Sequence, residues 1–397
     1  MLELGIDEIS LTLLPTCSIN QDVNSNDWVE YARDIIEYVC EVATLREVFG
    51  PLTAYNKGWH GYNDVLTFGT SAFCLHVGFH HNMPDMGVNF DFSAQALAFY
   101  LEATDQQVYE FMQSIQSSDY VLRLARVDLT ADFIDEGLSV HTIYNDIIDG
   151  KVMAFREMTL KNTKKTKLIK QPYKLRGIIK VDDISTLYLG SRKSKAFLRV
   201  YDKKQEQTDT KGVNFQKAKS VEDWVRFEAV LRDDYAHQMT EQLLQVKSDN
   251  ELAQLVAHTM AYKFYLCYLD HGVLDCPTEY TQALLDTSQN NTFVLKSNNY
   301  TNTSLLRKIN YLYEGSGLMA VLAMIEASWG LVAVYQFLQF IAKAYQLNYT
   351  PNDVNQAWIK SFSPVYSNKN STFDDFICTN SYFAEWITNT ISSAQIV

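Results

Sequence analysis

Phe197-Leu198-Arg199-Val200-Tyr201-Asp202-Lys203 alternates with period two, the pattern of a half-buried strand. Phe197, Arg199, Tyr201 and Lys203 share one face, and Ala196, Leu198 and Val200 the other. Just upstream, Leu187-Tyr188-Leu189-Gly190-Ser191-Arg192-Lys193-Ser194 reads as a strand end and a turn. A tyrosine flanked by two cations suits a phenolate nucleophile acting on a phosphodiester. The cations favour the phenolate and would meet the charge that develops on phosphorus. The bland alternative is an ordinary strand tyrosine.

Two further stretches share this design. In Leu122–Phe133, Val127, Leu129, Ala131 and Phe133 oppose Arg126, Asp128, Thr130 and Asp132. In Trp224–Arg232, Val225, Phe227, Ala229 and Leu231 oppose Trp224, Arg226, Glu228 and Arg232. Together the three offer Asp128, Asp132 and Glu228 as hard oxygen ligands suited to Mg²⁺ or Mn²⁺. Arg126, Arg199, Lys203, Arg226 and Arg232 are candidate phosphate-binding cations. The alternative is a set of cross-strand salt bridges on the solvated face of an amphipathic sheet.

The 397-residue chain is 47% hydrophobic and carries a net charge of −13. That composition is globular, and the charge alone argues against a nucleic-acid binder. The charge is uneven, however. Residues 151–204 hold 16 of the 34 Lys/Arg against four acids, a local +12, so the rest carries −25. One basic face on an acidic body fits a polyanion, and Lys164, Lys165 and Lys167 lie in this segment; a solvated lysine-rich loop would look the same. Six scattered cysteines without metal spacing read as reduced, mostly buried thiols of a cytoplasmic protein. The opening Met1–Gly5 has no basic n-region, so no signal peptide is expected. His76, His80 and His81 lack ligand spacing, since His80 and His81 would point to opposite faces of a strand. Phosphate-binding glycine loops are absent from the sequence.

Taken in order, residues 5–13 read as a strand and Asn26–Val48 as a helix. Strands are expected at Tyr62–Phe68, Phe73–Phe79 and Gly87–Phe92, and helices over Ala94–Glu102 and Asp105–Ser117. After Leu122–Phe133, a turn and helix occupy Asp135–Gly150, and Lys204–Asp223 is a polar connector. The fold class expected is α+β, a mainly antiparallel sheet with helices over 1–235, followed by a helical region over 236–397. There Asp249–Leu269, Ser304–Tyr313 and Leu318–Gln346 read as helices, the last a buried pair broken near Gly330 rather than a membrane span.

At these residues the chain resembles the Rep_trans-type rolling-circle replication initiators of plasmids and the related relaxases of conjugative elements. Arg126–Phe133 is similar to the family's Arg-x-Asp-hydrophobic-Ala-x-Asp strand, with the alanine displaced by one place. Tyr188-Leu189-Gly190-Ser191-Arg192-x-Ser194 is similar to its Tyr-x-Gly-x-Arg-x-Ser turn, Arg199–Glu206 to its Arg-hydrophobic-Tyr-x-Lys-x-x-Glu strand, and Trp224–Glu228 to its Trp-Arg-hydrophobic-Glu strand. Gly5–Ser10 and Met86–Gln95 look like the relaxase branch, although Ala94 stands where that branch has glycine.

The resemblance implies that Tyr201 attacks a phosphodiester of a single-stranded or hairpin origin, forming a 5′-phosphotyrosyl link and freeing a 3′-OH. It implies Mg²⁺ or Mn²⁺ held by Asp128, Glu228 and Asp132, with Arg199, Lys203 and Arg226 steadying the oxyanion. Tyr188, Ser191, Arg192 and Ser194, with the lysine run, would contact DNA. Tyr188 is the alternative nucleophile. A dimer, as in plasmid initiators, and a bacterial cytoplasmic location follow from the same resemblance. A helicase, a coupling protein or duplex DNA are the partners open to the C-terminal helices. Two other classes stay open: a non-catalytic origin or single-strand-binding protein, and a hydrolytic metal-dependent nuclease.

Overall fold

The computed structural model describes residues 1–16, 25–69, 74–155, 173, 175–180, 183–271, 273–289, 291, 293, 295, 305–312 and 316–352, with scattered positions from there to 376. Lys164, Lys165 and Lys167, as well as Cys17 and Cys378, lie outside the described residues.

Ten strands form one antiparallel sheet. In chain order they are β1 (Leu2–Pro15), β2 (Thr53–Ala54), β3 (Asp64–Phe68), β4 (Leu75–Phe79), β5 (Val88–Phe92), β6 (Tyr120–Ile134), then β8 (Leu175–Lys180), β9 (Asp183–Leu189), β10 (Ala196–Asp202) and β11 (Trp224–Arg232). Their order across the sheet is β2-β3-β4-β5-β1-β6-β11-β10-β9-β8. A smaller sheet is built from β7 (Val152–Phe155), β12 (Tyr265–Asp270) and β13 (Val273–Pro277). The chain is therefore α+β with a mainly antiparallel sheet.

The apolar alternation decides which face is buried. Val127, Leu129, Ala131 and Phe133 of β6, Phe227, Ala229 and Leu231 of β11, and Leu198 and Val200 of β10 are at most 2% exposed. Ile9, Leu11 and Leu13 of β1 extend this core. Helices Ala94–Thr104, Val140–Ile148, Asp234–Leu243 and Asp249–Lys263 supply the other half of it, through Leu97, Ile143, Met239 and Val256 among others. Fully burying one such side chain contributes roughly 1.5–3 kcal/mol. This leaves the outer face of the sheet for polar residues.

β1 is irregular where it meets β6. The register shifts between Ile6 and Glu8 and again between Ser10 and Leu11. A bulge inserts one unpaired residue and re-aims its neighbours. Here it lets both Asp7 and Glu8 reach arginines of the outer face, which strict alternation would forbid.

The chain divides into two compact units, Met1–Lys296 and Ser297–Val397. The boundary expected at 235 falls inside the first, where Tyr235, Ala236, Met239 and Leu243 join the core. Three local expectations change. Lys204–Asp223 is not a plain connector: it contains helices Lys203–Thr210 and Phe215–Ser220, the first capped by Asp202, whose carboxylate accepts from the Gln205 N–H at 2.7 Å. The helix expected over Asp249–Leu269 ends at Lys263, because Tyr265–Tyr268 pair with β7 as a strand. In the second unit, Leu318–Trp329 and Leu331–Asn348 form the expected pair broken at Gly330, whose φ is +81°. Its side chains are exposed rather than buried: Trp329 is 75% and Leu347 81% accessible. No helix among the described residues is long and apolar enough to cross a membrane.

Candidate active site on the outer sheet face

Residues directly opposite each other on antiparallel strands share a face. Register therefore assembles the site. One row runs Asp132, Arg226, Tyr201 and Thr186 across β6, β11, β10 and β9. The next runs Thr130, Glu228, Arg199 and Tyr188. A third runs Glu8, Asp128, Val230 and Phe197.

Within these rows every arginine is committed to a carboxylate. Arg226 donates from Nε and Nη2 to the two oxygens of Asp132, both at 2.7 Å, and from Nη1 to Asp7 at 2.6 Å. Arg126 forks onto Asp128 at 2.9 and 2.6 Å and also binds Glu8. Arg199 donates to Glu228, at 2.6 Å to Oε2. Bidentate charge-assisted pairs of this kind fix geometry tightly. Arg226, Asp132, Asp128 and Glu228 are all under 10% exposed, so each charge depends on its partner.

Tyr201 lies at the centre of this network. Its hydroxyl donates to Glu228 Oε2 at 3.2 Å, and the Arg199 guanidinium stands 4.9 Å from the ring centre. Burial pushes the Tyr201 phenol well above its ordinary value, and the Glu228 charge adds to that shift, while Arg226 and Arg199 oppose it. The cations were expected to favour the phenolate. In the folded chain burial works against the phenolate, and the arginines that would favour it already face carboxylates. Glu8 is pushed up to about 7, by burial first, with Arg126 opposing and Asp91, Glu228 and Asp7 adding. Asp128 is also raised well above the usual carboxylate range, by burial, against Arg126, with the charges of Glu228 and Glu8 adding.

Two hollows open on this face. A cavity of 770 Å³ is cationic, lined by Arg126, Arg192, Lys193, Arg199 and Arg232 with Tyr188 and Phe197. A smaller one of 220 Å³ lies against Tyr201, Asp202, Glu206 and Asp209. Arg199 and Tyr188 line both. The Nε of Arg199 is buried and has no hydrogen-bond partner among the described residues, which leaves a donor for a ligand oxygen.

The remaining sequence-predicted residues divide. Tyr188 and Arg192 meet in the cationic cavity, with the guanidinium 5.5 Å from the ring centre. Ser191 accepts from the Lys193 N–H at 3.3 Å, and Ser194 donates to Ser191 and Ala196 carbonyls, both at 2.6 Å; these hydroxyls hold the turn. Lys203 opens a helix instead of extending the strand face, pairs with Glu206 at 2.9 Å, and keeps its Nζ 5.6 Å from the Tyr201 ring centre. Asp7 and Glu8 were missed, since no alternation marks them. The signal was the adjacent acidic pair within one strand, which only a bulge can place on one face.

The ligand set Asp128, Asp132 and Glu228 does not gather around one point. Asp132 is turned to Arg226, and among the described residues no three His, Cys, Asp or Glu side chains lie close enough to hold a metal ion. As folded, the set does not fit an ion. The histidines form no ligand set either: the rings of His80 and His81 lie 5.5 Å apart rather than on opposite faces, because the strand ends at Phe79, His81 pairs with Asp64 at 2.8 Å, and His76 stacks on Trp59.

Fold and site thus define an α+β protein whose antiparallel sheet carries a buried tyrosine, a carboxylate and arginines beside a cationic cavity. Residues 122–310 match the model of the Rep_trans family, described as replication initiation factor. Among solved structures, it is similar to the rolling circle replication initiator protein from Geobacillus stearothermophilus, at 19% identity and a TM-score of 0.49, over 72% of this chain and 97% of that one. No curated protein matches the chain.

Proposed function

We propose that the protein nicks and rejoins DNA at an origin by tyrosine transesterification. The observation that carries the reading is the hydrogen bond from Tyr201 to Glu228 beside a cationic cavity large enough for a nucleotide. The match of residues 122–310 to a family of replication initiation factors supports it, because initiating rolling-circle replication requires a free 3′-OH made from a closed strand. The phenol oxygen forms a bond to phosphorus, the bond from phosphorus to the 3′ oxygen breaks, and the departing oxygen takes a proton from water and leaves as a 3′-OH. Glu228 takes the phenol proton as the attack proceeds, which its position permits without a prior phenolate. Arg199, with its spare Nε, meets the charge that develops on the phosphoryl oxygens. The phosphodiester energy is kept in the phosphotyrosyl bond, so reversal rejoins the ends.

Mg²⁺ or Mn²⁺ is proposed on the resemblance alone, and no step of the mechanism is assigned to the ion. A relaxase role in conjugative transfer, a homodimer, helicase or coupling-protein partners and a bacterial cytoplasmic location rest on the same ground, as does the assignment of the catalytic role to residues 1–235.

The test mixes the purified protein with single-stranded DNA from beside its own gene, with Mg²⁺ or Mn²⁺ in the buffer, and reads a denaturing gel for a DNA–protein band. The band is expected with wild type and Tyr188→Phe and absent with Tyr201→Phe. Loss in Tyr188→Phe alone would move the nucleophile to Tyr188. Cleavage without any band would mark a hydrolytic nuclease, and binding without cleavage a non-catalytic DNA-binding protein.

A further inference from the structure

A fourth row of paired residues crosses the outer face: Thr67, His76, Asp91, Ser10, Arg126 and Arg232, on β3, β4, β5, β1, β6 and β11. It links the cationic cavity, which Arg126 and Arg232 line, to an aromatic cluster at the far side of the sheet. From His76 to Arg232 is four strand spacings, about 19 Å.

The aromatic cluster is built, not incidental. Trp59 and Tyr62 exchange both backbone hydrogen bonds, at 3.0 and 2.8 Å. His60 and Gly61 between them have φ of +49° and +88°, the signature of a tight type I′ turn. That turn lays the Trp59 indole flat on the His76 ring, centroids 4.0 Å apart and planes 10° from parallel. Tyr55 meets His76 edge-on at 4.8 Å. Trp59 Nε1 donates to Asp91 at 2.8 Å, which fixes the indole in its plane. Trp59 also meets the imidazole of His60 edge-on at 4.8 Å; that imidazole is 66% exposed, and its Nε2 stands 3.6 Å from Asp91.

We propose that Trp59 stacks a base of the same single strand whose phosphodiester meets Tyr201, so that the strand crosses the sheet along this row. The inference rests on the nicking reading for the identity of the strand, and on the register and the Trp59 cluster for its path. Charge sets the strand's orientation. Asp91 and Glu8 beside the path repel phosphates. Bases therefore face the sheet here, and phosphates turn toward it only at Arg126 and Arg232. Stacking on an aromatic ring tolerates any base, so this subsite adds affinity and registration rather than sequence readout.

The test compares two single-stranded oligonucleotides from beside the gene by fluorescence anisotropy at fixed salt. One is just long enough to be joined to Tyr201; the other is extended at both ends by several nucleotides. Trp59→Ala and Trp59→Leu are expected to bind the long strand about tenfold more weakly and the short strand as wild type does. Trp59→Phe, which keeps a stacking face, should recover most of the loss. Equal weakening for both lengths would show that Trp59 only supports its loop, and no weakening for either would show that no base reaches it; both overturn the proposal. Failure of every oligonucleotide to become joined to Tyr201, with the length-dependent loss intact, would overturn the nicking reading and leave this subsite standing.

Discussion

The two wings of the ten-stranded sheet present the same outer face by different chemistry. On β6, β11 and β10, arginines are locked to buried carboxylates around Tyr201. On β3, β4 and β5, the face is covered by a stacked indole and imidazole with one carboxylate between neutral partners. Both wings stand on the same apolar core. The difference shows what each is built to withstand. A paired-charge surface keeps fixed donors and a fixed proton acceptor in a place that water barely reaches, at the risk of a large penalty whenever one partner is lost. An aromatic surface is tolerant, because stacking depends on area and not on a matched opposite charge.

The sharpest way to break the comparison is at Glu228. Glu228→Gln keeps the shape and still accepts a hydrogen bond from Tyr201, but it takes no proton from it. At saturating DNA, the rate of covalent joining is expected to fall about 10²–10⁴-fold, the usual range for a general base. Rapid-quench measurement of the first turnover checks this. A fall below about threefold would put the proton elsewhere.

Next in size is the buried pair Arg226 with Asp132. Asp132→Ala strands a guanidinium whose remaining partner is Asp7. The expected loss is about 3–5 kcal/mol of folding stability, measured by denaturant titration. His76→Ala on the other wing removes a stacked ring and is expected to cost about 1–2 kcal/mol. If the two variants lose the same amount, the distinction between the wings fails.

These expectations also mark how far the sequence could be read. β6, β10 and β11 were legible because a two-residue period survives wherever one face is buried, and Leu198, Phe227 and Leu129 supplied it. The opposing charged residues were legible as a set for the same reason. The partner of each charge was not. Asp132 belongs to Arg226, and not to a metal set with Asp128 and Glu228, because of a register that no single strand contains. Asp7 and Glu8 were hidden by a bulge, and the Trp59 cluster by a turn whose hydrogen bonds join residues with no periodic pattern. The apolar run 318–346 reads as core from composition, yet most of its large side chains are exposed, since composition does not say what a helix packs against.

Glu8 tests the charged wing through pH. Its ordinary value is 4.5, and in the fold it rises to about 7, facing Arg126, Asp91, Glu228 and Asp7. Between those values the folded chain keeps a proton that the unfolded chain has released. Stability therefore falls as pH rises through this window and levels off above it, by up to about 3 kcal/mol from this group. Glu8→Gln carries no such proton. The difference in unfolding free energy between wild type and Glu8→Gln should thus grow against wild type from pH 5 to pH 8, on top of a constant offset from the weakened Arg126 pair. Parallel curves would show that Glu8 does not titrate in this window.

The smallest expected effect joins the two wings. Asp91 holds Trp59 on one side and raises the Glu8 carboxyl on the other. Asp91→Asn keeps an oxygen to accept from the indole, so stability should change by less than about 1 kcal/mol. The lost charge should still be felt by Glu8, whose midpoint moves down toward its ordinary value. The same pH series, repeated with Asp91→Asn and with Asp91→Asn combined with Glu8→Gln, isolates this coupling as a double-mutant cycle. An unmoved midpoint would mean that the aromatic wing and the charged wing act independently. A moved one would mean that a strand seated on Trp59, by altering the field at Asp91, also alters the proton held beside Arg126.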